Sequence, residues 1–230
     1  MATRNIIVIG ASAGGVQALT KLVTNLPADL PAAVFIVLHV SANVPSMLPD
    51  ILRRESRLRV AHARDGEPIM RGKVYVAPPD HHLIIEGEHL RLVHGPKENL
   101  HRPSIDTLFR SAARWAGPRV IGVVLTGARD DGAAGMRAVK QREGIAIVQD
   151  PLEAPFPSMP ISVMQEINVD YSLPLREIPE LLSRLSRETV AEEGEFPVPD
   201  EIEVEAKIAE QTMESAELLP ASNAWARYQN

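Results

Sequence analysis

Three places in this 230-residue chain carry residue types that could do chemistry together. Ser12 lies in the small-residue turn Gly10-Ala11-Ser12-Ala13-Gly14-Gly15. His39 closes the apolar run VLHV, and Asp130 and Asp131 stand side by side in TGARDDG. A serine hydroxyl attacks a carbonyl when a base takes its proton, and an imidazole serves as that base when a carboxylate orients its ring. Serine, histidine and aspartate are therefore the set for nucleophilic acyl transfer, provided the fold brings them together.

Each residue also has a plainer reading. GASAG fits the G-x-S-x-G pattern of a serine on a tight strand-to-helix turn, but Gly10, Gly14 and Gly15 also suit a loop that cradles a phosphate at a helix N-terminus. The spacing matches neither G-x-G-x-x-G nor the Walker pattern, and no lysine follows Gly15. His39 alone reads as a satisfied histidine at a strand end, and the two aspartates as loop caps. As joint metal ligands Asp130 and Asp131 are poorly matched, because neighbours on an extended chain point opposite ways. His81 and His82 lack the i,i+4 spacing of a helical metal pair and are expected at the surface. His101, just before Arg102-Pro103-Ser104, is expected to border a cleft. Arg53, Arg54, Arg57 and Arg59 read as a solvated helix face, and Phe109 and Trp115 as core.

The elements that must position these residues can be read from apolar periodicity. NIIVIG (5–10), AAVFIVLHV (32–40), RVIGVVLTG (119–127) and IAIVQD (145–150) are continuous apolar runs, the pattern of strands buried on both faces. Helical spacing follows at 15–25, 46–57, 104–116, 132–142 and 159–167, and REIPELLSRLSRE closes the body; Ser104 is placed to cap its helix. Residues 58–96 break into short strand-like pieces with turns, centred on a hairpin at EGEH. The alternation predicts an α/β fold: a doubly wound, mainly parallel sheet flanked by helices, with a small antiparallel β-hairpin insert. In such sheets ligands bind beyond the carboxyl ends of the strands. Ser12, His39 and the aspartates all fall there, from three separate strands.

Composition narrows the function classes. The chain has no cysteine, so disulfides and thiolate chemistry are excluded. No run approaches the ~20 apolar residues of a membrane span, and the N-terminus lacks a signal-peptide pattern, so a cytoplasmic protein without membrane insertion is expected. The net charge of −6 is uneven. Residues 188–230 hold eleven acidic side chains against Lys207 and Arg227, while residues 1–187 carry 22 basic and 19 acidic ones. No basic stripe with interleaved aromatics suggests nucleic acid. The expected organisation is a domain over 1–187 and an acidic linker or peripheral tail over 188–230.

IGASAGG, VLHV, RPSIDTLF, LTGARDDGAAGM and FPSMP occur here in one order over about residues 4–185. In that order they resemble the catalytic domain of CheB-type protein-glutamate methylesterases. The resemblance implies Ser12 as nucleophile, His39 as base and Asp131 as orienting acid, since Asp131-Gly132-Ala133 matches the family's Asp-Gly-Ala. It implies backbone N–H donors for the oxyanion at Ala13 and Ala128. Here Ala13 stands where the family often has Thr, and Ala128 and Arg129 replace the Met and Gly of its usual TGMG. Both alanines keep the N–H, and one such donor is worth roughly 3–4 kcal/mol of barrier.

By the same resemblance, the substrate is a glutamate γ-methyl ester on a helix of a methyl-accepting chemoreceptor's cytoplasmic domain, and receptor glutamines are possible amidase substrates. The alternative is a serine hydrolase of the same fold acting on another protein or small ester in a different signalling pathway. No cofactor and no metal are called for. Ser12 lies so near the start that no receiver domain is expected ahead of it. Regulation is then expected from a partner in trans or from the 188–230 segment folding back on the body.

Overall fold

Runs such as IIVIGA and AVFIVL are apolar at every position because they form strands covered on both sides. The computed structural model describes residues 2–41, 44–190 and 198–210. In chain order the elements begin with β1 (Ala2–Thr3), β2 (Ile6–Ala11), α1 (Gly15–Thr24), β3 (Ala33–Leu38), α2 (Leu48–Glu55), β4 (Arg59–His62) and β5 (Lys73–Val76). Next come β6 (His82–Glu86), β7 (His89–Val93), α3 (Ile105–Ala116), β8 (Val120–Val124) and α4 (Ala133–Gln141). The chain continues through β9 (Ile145–Gln149), α5 (Ser158–Glu166), β10 (Tyr171–Leu173), α6 (Ile178–Leu185), β11 (Thr189–Val190) and α7 (Asp200–Glu210).

The central sheet has seven strands in the order β10-β9-β8-β2-β3-β5-β4, and every neighbouring pair is parallel. The period of two divides each strand between two cores. Ile7, Ile9 and Ala11 of β2 join α1, α2 and α6 on one face, while Ile6 and Val8 join α3, α4 and α5 on the other. The chain leaves β2 toward β3 on one side and later returns to β8 on the other. The order therefore reverses between β2 and β8, where the crevice of a doubly wound sheet opens.

Two parts of the 58–96 stretch separate here. β4 and β5 are not part of an antiparallel insert: they extend the parallel sheet, with Val74, Tyr75 and Val76 paired to Val34, Phe35 and Ile36 of β3. The antiparallel insert is the β6–β7 hairpin alone, whose loop of Gly87 and Glu88 places Gly87 at φ 60. Positive φ at the first loop position only is the type II′ turn, the twist that suits a hairpin.

Part of the acidic segment is described. α7 lies on α3, burying Ile202, Ala206, Ile208 and Ala209 and pairing Glu203 with Arg114 and Glu201 with Arg137. Residues 191–197 and 211–230 of the expected tail lie outside the described residues.

Candidate active site

Ser12 follows β2 directly. Its N–H donates to the Thr126 carbonyl beyond β8 (3.0 Å), and its own carbonyl accepts the Gly15 N–H (2.8 Å). That tight turn needs Gly14 at φ 74, a left-handed conformation that costs a glycine little. At Gly15, a Cβ would lie 2.6 Å from Leu38 Cδ1, so the missing side chain lets α1 settle onto the sheet. The Gly15 N–H is thus spent within the turn, which weakens the phosphate-cradle reading.

His39 follows β3, its N–H bonded to the Ala11 carbonyl (3.2 Å). Its Nδ1 lies 3.1 Å from Ser12 Oγ and its Nε2 lies 2.6 Å from Asp131 Oδ2. A carboxylate can only accept, so Nε2–H donates to Asp131 and Nδ1 is free to accept from the Ser12 hydroxyl. Three strand ends thus converge on one hydrogen-bonded line from serine to histidine to aspartate.

Asp131 is 1% exposed, whereas Asp130 is exposed. Besides His39, Asp131 accepts from Ile105 N–H (2.8 Å), Asp106 N–H (3.1 Å), Ser104 Oγ–H (3.0 Å) and Asn99 Nδ2–H (2.9 Å). Burial alone would raise its pKa. The bond and charge of His39, then the donors from Ile105 and Asn99, outweigh burial and hold it at about 2. Asp131 is a fixed anion at neutral pH.

Ser104 stands at the N-cap of α3, but its hydroxyl bonds Asp131 and makes no cap bond. Asp131 caps α3 in its place. Asp106, in the first turn of α3, accepts the Gly132 and Gly135 N–H groups at the start of α4 (2.9 and 2.6 Å). Burial, with the charges of Asp131 and Glu98, pushes the Asp106 carboxyl well above its usual range. Asn99 donates to both carboxylates, at 2.7 Å to Asp106 and 2.9 Å to Asp131.

Thr126 locks the loops on the other side of Ser12. Its Oγ1–H donates to the Ala13 carbonyl (3.0 Å), and Oγ1 accepts the Phe156 N–H (3.0 Å). Gly127 exchanges backbone bonds with Phe156 and Met159 (2.9 and 3.1 Å), which gives the FPSMP segment a structural task. Among the described residues, the N–H groups of Ala13 and Ala128 have no acceptor within the protein. Arg129 is exposed with φ 70, a left-handed position where glycine would be unstrained.

His101 does more than border the cleft. Its ring stacks on that of His39, centroids 3.5 Å apart and 6° from parallel. Burial, then the neighbouring His39, lowers its pKa to about 4, so it is neutral at pH 7. His82 corrects the surface expectation. It is fully buried, with Nε2–H donating to the Pro96 carbonyl (2.9 Å) and Nδ1 accepting the Ser104 N–H (3.2 Å). Its position in β6 turns it inward under the start of α3, and the sequence pattern HHL gave no sign of which histidine that would be. The sequence pattern likewise does not mark Asp106, Asn99 or Ser104 for the site. The one available signal was their place in or beside the RPSID segment.

An apolar cavity of about 390 Å³ is lined by Leu38 and Val40, the chain neighbours of His39, together with Val16, Pro45, Met47 and Ile51. Among the described residues no group of three or more His, Asp or Glu side chains has the arrangement of a metal site, and no helix is long and apolar enough to cross a membrane.

The sequence profile described as CheB methylesterase matches residues 7–182. A Leptospira interrogans protein, named provisionally as a protein-glutamate methylesterase/protein-glutamine glutaminase, is 41% identical over 182 residues, covering 79% of this chain and 94% of its own. A Methanosarcina mazei protein-glutamate methylesterase/protein-glutamine glutaminase is 40% identical over 192 residues, 80% of this chain but 52% of its own length. The fold superposes on the crystal structure of the Thermotoga maritima CheB methylesterase catalytic domain with a TM-score of 0.77 at 35% identity, covering 80% of this chain and all of that one.

Proposed function

The chain belongs to the CheB methylesterase family, and from that premise we propose that it hydrolyses glutamate γ-methyl esters on chemoreceptor cytoplasmic helices through an acyl-enzyme on Ser12. The observation that carries this reading is the hydrogen-bonded line Ser12 Oγ–His39 Nδ1 (3.1 Å) and His39 Nε2–Asp131 Oδ2 (2.6 Å) at the switch point of the sheet.

In this mechanism His39 Nδ1 takes the hydroxyl proton as Ser12 Oγ attacks the ester carbonyl. The imidazolium that forms lies against the Asp131 anion, which stabilises it and keeps Nδ1 aimed at the serine. The Ala13 and Ala128 N–H groups are the donors proposed for the developing oxyanion; with no acceptor among the described residues, they break no bond to one of these in order to serve. His39 then returns its proton to the methoxy oxygen, and methanol leaves. A water, deprotonated by the same Nδ1, attacks the acyl-enzyme and releases the glutamate with Ser12 restored. With a glutamine substrate the leaving group is ammonia, which demands fuller protonation by His39, so deamidation is the slower of the two. Val16, Val40, Met47 and Ile51 offer an apolar flank to the face of a substrate helix.

The test is methanol release from a methylated chemoreceptor fragment, wild type beside Ser12→Ala. Release that is lost in the variant supports both reaction and nucleophile. If a fluorophosphonate labels Ser12 while no methanol appears, the serine is active on another ester and the substrate assignment falls.

A further inference from the structure

The family match ends at residue 182, yet α7, at 200–210, reaches the residues around His39 through a short chain of contacts. Glu205 of α7 accepts from Arg110 Nε (2.9 Å). The same guanidinium, its side chain 2% exposed, donates from Nη2 to Glu98 Oε1 (2.6 Å) and from Nη1 to Glu98 Oε2 (3.2 Å). Thr107 also holds Glu98 (2.9 Å).

Glu98 is one corner of a tight turn. Its N–H donates to the His101 carbonyl (3.1 Å), and the His101 N–H donates back to the Glu98 carbonyl (2.8 Å). The two residues between, Asn99 and Leu100, have φ 51 and 68. Positive φ at both central positions is the type I′ turn, tolerable for asparagine but strained for leucine. Such a conformation persists when its surroundings over-determine it. Here three side chains of the turn are held: Glu98 by Arg110, Asn99 between Asp106 and Asp131, and His101 by its stack on His39. Leu100, the strained residue, is itself exposed and supplies no anchor.

We infer that α7 braces the active site: Glu205, through Arg110 and Glu98, fixes the turn that presses His101 against His39, and His101 is a positioning residue for the base. The inference rests on the proposed roles of Ser12 and His39. It gives the acidic segment a task, because a guanidinium buried between two carboxylates cannot lose one of them without moving. Slack in the turn releases His101, and the His39 ring gains freedom to swing Nδ1 away from Ser12. Chemistry then slows while substrate binding stays intact. Any partner that lifts α7 from α3 would lower activity by the same route.

The experiment uses the full chain carrying Glu205→Ala, with Glu201→Ala as a control that removes an α7 ion pair not joined to Arg110. Methanol release and the NMR ring-proton shifts of His39 and His101 are read together. The expected result for Glu205→Ala is a fall in kcat of roughly tenfold with little change in KM, and loss of the mutual ring-current shifts, while Glu201→Ala keeps both. His101→Phe, which keeps a stacking ring, should recover most of the kcat lost in His101→Ala. Adding Glu205→Ala to His101→Ala should cost nothing more. Unmoved ring shifts and wild-type kcat in Glu205→Ala, or additive losses in the double variant, overturn the brace. If the wild type itself releases no methanol, the functional reading has failed, and the ring shifts alone still decide for or against the brace.

Discussion

Asp106 and Asp131 cap each other's helices: Asp131, just before α4, accepts the Ile105 and Asp106 N–H groups that open α3, and Asp106 accepts the Gly132 and Gly135 N–H groups that open α4. Helix N-termini carry unpaired donors and a positive dipole end, so each carboxylate gains from the exchange. The pair also ties the acid that holds His39 to the packing of two core helices. At Gly135 a Cβ would lie 2.9 Å from Asp106 Cα, so the helices could not approach this closely with any other residue there.

Asp131→Asn should cost kcat about 10³–10⁴-fold and about 2 kcal/mol of stability. The amide nitrogen has no place among five donors. Asp106→Ala should instead lose about 3 kcal/mol of stability, by stranding two buried N–H groups, with a smaller fall in kcat. Urea unfolding alongside methanol release separates the two patterns. Equal kcat losses in both would contradict the division of labour.

Two groups should weaken the fold in acid, His101 first and Asp131 after it, while Asp106, whose pKa is raised, works in the opposite direction as pH falls. His101 ordinarily titrates near 6.5 but is held at about 4 in the fold, so stability is full above 6.5 and falls as pH drops toward 4. Asp131, at about 2 in place of 3.8, contributes about 2 kcal/mol at neutral pH that is lost as pH falls from about 5 through 2. Between pH 7 and 4 the wild type should lose stability relative to His101→Phe, read as the change in the difference between their denaturation midpoints. An identical slope in both would remove His101 from this account.

Gly10→Ala places a Cβ against the side chain of Ile105, the residue whose N–H caps onto Asp131. Overpacking at this point should cost about 2 kcal/mol. It should also lower kcat, because α3 must back away from the sheet edge that carries Asp131. A thermal scan and a single-turnover assay check both effects.

Thr126→Val keeps the shape of a buried side chain and deletes the hydroxyl that joins the Ala13 carbonyl to the Phe156 N–H. The expected loss is about 1–3 kcal/mol. Slower fluorophosphonate labelling of Ser12 should accompany it, since the turn after the serine loses its tether. Unchanged labelling would show that Ser12 is positioned by the backbone bond from its own N–H to Thr126 alone.

What the sequence by itself determined is whatever depends on neighbours along the chain. Doubly buried strands announce themselves as unbroken apolar runs, helices by their 3.6-residue period, and the Ser12 turn by its glycines. The rule that ligands gather at strand ends then brings Ser12, His39 and the Asp130-Asp131 pair to one edge before any distance is known, and the family resemblance chooses Asp131. Other features were invisible because their causes lie far apart in the chain. β4 and β5 look like hairpin pieces until β3 supplies a parallel partner. His82 and His81 are indistinguishable until one is turned beneath Ser104. Asp106 reads as an ordinary first-turn acid until Gly132 and Gly135, some thirty residues on, arrive at its oxygens. The acidic composition of α7 suggests a solvated tail, because charge alone does not say that Arg110, Arg114 and Arg137 wait on the faces it meets. Periodicity records which side of an element is buried; only the assembled structure says what it is buried against.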